Sequence, residues 1–390
     1  PENCCAEGFV PTQNTDGSYG VKVDDSVAEV NGTKYESLAD AFTAAAENGQ
    51  TVKLLADVTL DTAVNVPAGK TVTLDLNGKK LSTDFQSGGT KHYYAIDNYG
   101  TFTLLDSSEA QTGEIRARGI ENFGGGKMVI KSGKIVAVDN NGGAAIWNLA
   151  DLTIQGGTFV AEYEGASNDE YGPGCVYSKG TLTISGGTFE SANKRTYAVI
   201  SESGTVTIDP AEGKNVTISG AHGGVGIDGG TATINGGSYG SSDYYGLYVS
   251  NDEGTATVTV NGGTFNGKDY SVLIGSDGKN EVTSTLTIKN GTFNKPIQAQ
   301  ENTGTGAIQV SGGTFSDPVN AAYCANGFIP TSTTKDGVTT YGVVQGSYVA
   351  SVTTADGVET KYETLQAAFD AVAENQTITL LSDVELSGQA

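Results

Sequence analysis

The chain is built of short runs in which apolar and polar residues alternate, broken at near-regular distances by glycine. The clearest runs are Thr181 to Phe189 (T-L-T-I-S-G-G-T-F), Leu152 to Phe159, Ala232 to Tyr239, Val258 to Phe265, Leu286 to Phe293 and Ile308 to Phe315. Alternation with period two puts every second side chain on one face of a strand, and the Gly-Gly pairs mark corners. The closing aromatic advances by 30, 50, 26, 28 and 22 residues from Phe159 to Phe315, and the step of 50 hides a degenerate copy at Val216 to Gly220. A third segment in each unit joins a small residue to an aliphatic, often behind a tyrosine, as in Tyr94-Ala95-Ile96, Ala145-Ile146, Tyr197-Ala198-Val199 and Tyr245-Gly246-Leu247. Three short strands cannot bury an apolar face alone, but stacked units can. The pattern predicts an all-β chain, a parallel β-helix of about ten coils, each strand pairing with its equivalent one coil on at roughly 4.8 Å.

One helical pattern interrupts the strands. Tyr35, Leu38, Phe42 and Ala45 recur at helical spacing, Ser37 with Asp40 resembles a capping box, and Gly49 suits the residue after the helix. Laid across the first coil, with Leu38 and Phe42 inward, this helix would cover the strand edges and open core that a solenoid end exposes. Tyr362, Leu365, Phe369 and Val372 repeat the pattern within a long duplication. Gly8 to Thr12 recurs at Gly327 to Thr331 (offset 319), Lys34 to Leu38 at Lys361 to Leu365 (offset 327), and Leu54 to Val58 at Leu380 to Val384 (offset 326). The expected organisation is a junction segment at 1–33, equivalent to 320–360, then a capping helix and β-helix at 34–317. Residues 318–390 are expected to be a linker and the start of a second module of the same kind, its helix beginning near Thr364.

The S-G-G-T-F coils resemble those of large secreted surface proteins of Gram-positive anaerobic bacteria that carry arrays of right-handed β-helix modules. The stretch from Tyr35 to Leu55 (Y-E-S-L-A-D-A-F-T-A-A-A-E-N-G-Q-T-V-K-L-L) is similar to the cap-helix and first-strand motif of the pectate-lyase-like superfamily. The resemblance implies a right-handed, single-stranded β-helix and a structural or adhesive role outside the cell. Pectin lyases, glycosidases, tailspikes and passive rods share this architecture, so the fold alone assigns no chemistry.

Composition narrows the partners. The 390 residues carry 45 Asp and Glu against 22 Lys and Arg, a net charge of -23 that repels nucleic acid and anionic membranes. The 55 glycines answer to the corners, without the strict period of collagen. No run reaches the roughly 18 apolar residues of a membrane span, and any secretion signal is expected outside these residues. Expected partners are neighbouring copies of the module, in cis or as a filament whose residues 318–390 dock on another chain; host or cell-wall glycans are the alternative.

Candidate chemistry lies just after the small-aliphatic pair, at Asp97, Glu121, Trp147 and Tyr177, with Asp228 and Tyr248 further along. Asp97 and Glu121 one coil apart suit a retaining glycosidase pair or a metal site, and carboxylates beside Trp147 and Tyr177 suit a sugar-binding strip. Solvated acids on an exposed strand are the plainer reading, since no Lys or Arg follows on adjacent coils and both histidines lie off the stripe. The next position, Asn98, Asn122, Asn148 and then Ser178, reads as a structural amide ladder tolerant of left-handed backbone. Phe159, Phe189, Tyr239, Phe265, Phe293 and Phe315 read as core stacking. Outward Thr-x-Thr pairs such as Thr181/Thr183 resemble an ice-binding face, a minor alternative that Lys127 and Val129 interrupt. Cys175 reads as an inward, inert thiol. Cys5 and Cys324 are equivalents at the module junctions, and Cys4 has Tyr323 as its counterpart. No cofactor or metal is assigned; surplus acid at Glu162 to Glu170 or Asp243 to Asp252 leaves Ca²⁺ as an alternative, without a repeated calcium motif. The loops Tyr163 to Gly174 and Asp243 to Tyr245 are where binding would vary.

Overall fold

A computed structural model describes residues 5, 6, 8–83, 94–138, 144–162, 174–276, 281, 283–301, 303, 304, 307–354 and 357–384. Within them the chain is a parallel β-solenoid of about 9 turns, made of one ten-stranded and two thirteen-stranded sheets. Ten stacked strands enclose nine intervals, in line with the roughly ten coils expected from the repeats. Each strand pairs with its equivalent one coil on, so like residues stack in files.

In one sheet Thr181, Thr205, Thr231, Thr257 and Thr285 form an outward file, with Thr183 to Thr287 forming its neighbour. Leu182, Val206, Ala232, Val258 and Leu286 alternate between them into the core. Lys127, Val129 and Asp151 break the threonine files nearer the N-terminus. A second sheet carries the aromatic file, entirely buried. Phe159 stacks on Phe189 at 4.6 Å, Tyr239 on Phe265 at 4.7 Å, Phe265 on Phe293 at 5.1 Å and Phe293 on Phe315 at 4.7 Å, with Ile218 as the one aliphatic between them. Offset stacking of this kind adds to the area these rings bury.

Where two glycines form the corner before an aromatic, they serve different ends; before Phe293 the first is replaced by Asn290. A Cβ at Gly262 would lie 2.6 Å from the Asn235 carbonyl of the preceding coil, and Gly263 has φ +109°, where side chains are strained.

The third, ten-stranded sheet holds the amide ladder. Asn98 donates through Nδ2 to Asn122 Oδ1 at 2.7 Å, Asn122 donates to Asn148 Oδ1 at 2.8 Å, and Asn148 donates to Ser178 Oγ at 3.0 Å. Each also donates to a carbonyl of the next coil: Lys127, Asp151 and Thr181 respectively. The ladder residues end extended strands, and none is among the positive-φ residues. The amides are held by their hydrogen bonds, and the expected left-handed backbone is not used. Cys175 lies in the small-residue file between Ala145 and Ala198, buried, its thiol donating to the Phe159 carbonyl at 3.3 Å. Burial pushes that thiol up to about 12, far from any nucleophile.

Both ends are closed. The helix Leu38–Asn48 starts at Ser37, whose hydroxyl accepts from the Asp40 N–H at 3.3 Å, and ends at Gly49 with φ +66°. It buries Leu38, Ala41, Phe42, Ala45 and Ala46 against the first coil, while the strand Ala28–Val30 adds antiparallel to Thr51–Leu54. At the other end the strands Phe328–Lys335 and Val338–Gln345 form a hairpin, which joins the aromatic-bearing sheet by antiparallel pairing of Tyr341 with Phe315. The Ala299 N–H donates to the Tyr323 hydroxyl at 3.0 Å and Cys324 bridges Val310, so the linker seals the same coil. The hairpin thus seats on this chain's own solenoid. Beyond it Ala350–Thr353, Glu359–Tyr362 and Thr377–Leu380 form a small sheet under the helix Leu365–Ala371, whose N-cap is Thr364. This copies the first cap in outline, but Phe369, the counterpart of Phe42, is 58% exposed where Phe42 is 2% exposed.

The amide ladder predicts a graded cost. Asn122→Ala leaves one buried N–H of Asn98 without its acceptor and takes from Asn148 Oδ1 its shorter donor, leaving it the Ala150 N–H at 3.3 Å, and should destabilise by about 1–3 kcal/mol in urea unfolding. Asn122→Ser, the residue type the file uses at Ser178, should cost about half as much. Equal losses for the two variants would mean that the hydrogen-bond chain is not what the position contributes.

Candidate functional site

The outward positions of the ten-stranded sheet form one continuous file. After Asn65 it reads, in register order, Asp97, Glu121, Trp147, Tyr177, Ile200, Gly226, Tyr248, Leu273 and Gln298. The first four are consecutive, as the sequence suggests, and Tyr248 belongs to the same file. Asp228 does not, because Gly226 occupies its coil's position.

At the acidic end Asp97 and Glu121 are direct neighbours on adjacent parallel strands, roughly 4.8 Å apart at the backbone. Both are half-buried. Burial raises the Asp97 carboxyl, and burial followed by repulsion from Asp97 brings Glu121 up to about 7, with Arg118 pulling the other way. Tyr99 stacks on Phe123 at 4.3 Å beside them, its hydroxyl also raised, by burial and then by the two carboxylates. The Arg118 guanidinium sits 5.0 Å over the Tyr94 ring. A carboxyl still protonated near neutrality can donate a hydrogen bond or a proton while its neighbour accepts one.

In the middle Trp147 and Tyr177 stack at 3.8 Å with 21° between planes. Tyr177 is fixed from its far end, its hydroxyl donating to Glu202 Oε2 at 2.6 Å, and Lys179 Nζ lies 2.8 Å from the same oxygen. Burial and then the Glu202 contact push Tyr177 up to about 12, and the same carboxylate raises Lys179. The result is a neutral, locked aromatic pair with the Lys179 ammonium over the Tyr177 ring, 5.7 Å from its centroid.

Past Tyr177 the surface becomes a tyrosine cluster. Tyr197 lies over Gly223 and Gly226, where a Cβ would fall 2.4 Å and 2.5 Å from its ring, so those glycines are the space the ring occupies. Tyr197 stacks on Tyr248 at 5.6 Å and Tyr248 on Tyr245 at 5.3 Å, leaving Tyr248 only 3% exposed. Tyr248 therefore floors the groove and offers no open face. The groove beside it measures about 410 Å³ and is walled by Arg195, Tyr197, His222, Asp228, Tyr244 and Asp252, among others.

His222 lies off the file in register, as expected, and packs edge-on against Tyr197 at 5.0 Å as part of the groove. Cations do accompany the stripe, as Lys179 and Arg118. Glu202, Lys179, Tyr197 and His222 went unnoticed as site residues; the tyrosine preceding the small-aliphatic pair was the available signal, since Tyr197, Tyr245 and Tyr270 share one file with Gly223.

Among the described residues no three His, Cys, Asp or Glu side chains gather as a metal site. Asp252 accepts from Ser276 Oγ at 2.5 Å and Asp228 from Ser250 Oγ at 3.0 Å. Of the Glu162 to Glu170 cluster only Glu162 is described, paired with Arg116, and the loop Tyr163 to Gly174 lies outside the described residues except for Gly174. Cys5 and Cys324 are free thiols, both half-buried, and Cys4 lies outside the described residues. No helix among the described residues is long and apolar enough to cross a membrane. No protein-family model, curated protein or solved structure matches the chain.

The raised Glu121 has a stability signature. A carboxyl lifted from 4.5 to about 7 binds its proton more tightly in the folded state, so stability is full below about pH 4.5 and falls as pH rises to 7. Glu121→Gln removes that loss. Discounted for the group's half exposure, the variant should gain about 1–2 kcal/mol over wild type at pH 8 and little at pH 4. A difference independent of pH would show that Glu121 is an ordinary solvated acid.

Proposed function

We propose that the chain is a non-enzymatic extracellular structural module, of the bacterial surface-array kind that its S-G-G-T-F coils resemble. Its mechanism is to hold distance by stacking end to end. The observation that carries this reading is that the repeat of the chain's opening segment, Phe328 to Gln345, sits on the last coil with Tyr341 opposite Phe315. The start of one unit is thereby the lid of the one before it, which is how tandem solenoids avoid an open end. Two copies expressed in tandem should appear in negative-stain electron microscopy as one straight rod, each solenoid adding roughly 43 Å. Two beads at variable angles would contradict it.

Glycan binding is a second reading, favoured by the locked Trp147–Tyr177 platform beside the tyrosine groove. Flat aromatic faces bind the apolar faces of sugar rings, and the Asp97–Glu121 pair would supply hydrogen bonds. Oligosaccharides retained on a glycan array by wild type should be lost with Trp147→Ala, at unchanged melting temperature. Hydrolysis of a retained glycan that stops with Glu121→Gln or Asp97→Asn would convert the module into an enzyme; retention unaffected by Trp147→Ala would remove the platform from the account.

A further inference from the structure

The opening segment and its repeat fold alike but are used differently. In the first hairpin Phe9 pairs with Val23, Pro11 with Val21 and Gln13 with Tyr19; in the second Phe328 pairs with Gln345, Pro330 with Val343 and Ser332 with Tyr341. The entry turn is also the same, Phe9 N–H to the Ala6 carbonyl at 3.1 Å and Phe328 N–H to the Ala325 carbonyl at 3.0 Å. In the second hairpin Tyr341 and Val343 pack against the solenoid core. Their counterparts Tyr19 and Val21 are 79% and 59% exposed.

A glycine supplies a separate clue. A Cβ at Gly342 would lie 3.1 Å from the Gly313 carbonyl, at the corner of the last coil, so close seating favours glycine there. Gly20 holds the equivalent place, yet its Cβ would meet only the Asn14 side chain, no nearer than 3.6 Å. Its φ is not positive. Nothing in the chain's own fold requires glycine at 20, whereas approach to a solenoid corner would.

We infer that the two hairpins are interchangeable occupants of one seat: Phe9–Val23 docks on the terminal coil of a second copy of this solenoid wherever that seat is open. Tyr19 then lies opposite that copy's Phe315, Gly20 against its Gly313 carbonyl, and Val21 on its core. The seat is an apolar strand edge, and the hairpin adds to it as a preformed antiparallel pair. In the wild-type chain the seat is filled by Tyr341, so wild-type molecules do not join in this way. This deepens the end-to-end reading and rests on it.

Tyr341→Asp with Val343→Asp in the full chain unseats the second hairpin. At about 100 μM this variant should form head-to-tail oligomers by light scattering while wild type stays monomeric, and adding Tyr19→Asp with Val21→Asp should return it to monomer. A folded variant that stays monomeric, or oligomers that persist after the second pair of substitutions, would overturn the inference. If the variant does not fold, a graft decides: residues 8–23 placed in the full chain where 327–345 stand should keep the melting temperature within about 5 °C of wild type. A larger drop would show that Phe9–Val23 cannot occupy the seat. A straight tandem rod combined with either negative result would leave the stacking reading intact and remove only the docking of the first hairpin.

Discussion

Parallel pairing of each strand with its own equivalent, one coil on, is the constraint from which the rest follows. Every side chain must tolerate a near copy of itself roughly 4.8 Å away. Aromatic rings meet this by stacking, as in Phe265 on Phe293. Asparagines meet it because an amide carries a donor and an acceptor, so Asn98, Asn122 and Asn148 chain into one another. Threonine meets it with paired hydroxyls and methyls on a half-buried face. Carboxylates do not. Asp97 beside Glu121 repeats a like charge at the distance where repetition is unfavourable, and burial together with that repulsion raises Glu121 to about 7, so that it holds its proton toward neutrality. A break of the local rule that the fold nonetheless holds in place is where function is to be sought.

Repetition also creates an end problem that repetition cannot solve. The first coil is closed by the helix Leu38–Asn48, and the last by a hairpin that is itself the copy of the chain's opening residues. On the end-to-end reading proposed above, covering the last coil with the start of the next unit would link stability to assembly: the lid that prevents uncontrolled edge pairing would also be the joint that gives controlled pairing. The lateral groove and the axial end are separate surfaces of the solenoid.

Most of the coil architecture was legible because the repeat writes it redundantly. Thr-x-Thr, Gly-Gly and the closing aromatic recur often enough to set strand, corner and register, and the file Asp97, Glu121, Trp147, Tyr177 followed from counting one position past the aliphatic. Legibility failed where residues depart from the repeat or act across coils. Gly226 displaced Asp228 from the file through a two-residue slip that alternation alone does not reveal. His222 entered the groove by side-chain reach, outside strand register. Lys179 and Glu202 lock Tyr177 from the strand's end and the next coil, a contact with no period to betray it. The antiparallel seat of Tyr341 on Phe315 was equally silent, because the duplication names the hairpin and not its partner.

The central claim is that one repeated segment is held by the solenoid at its second occurrence and stands free at its first. Amide hydrogen exchange measures that difference directly. A lone two-stranded hairpin is marginal in water, so the amides of Tyr19–Val23 should exchange within seconds to minutes at neutral pH. Those of Tyr341–Val343, the part of the second hairpin that meets the last coil, should be protected toward the level of Thr314 and Phe315. Equal, fast exchange in the two hairpins would contradict the account, because the last coil would then have no lid and the module no joint.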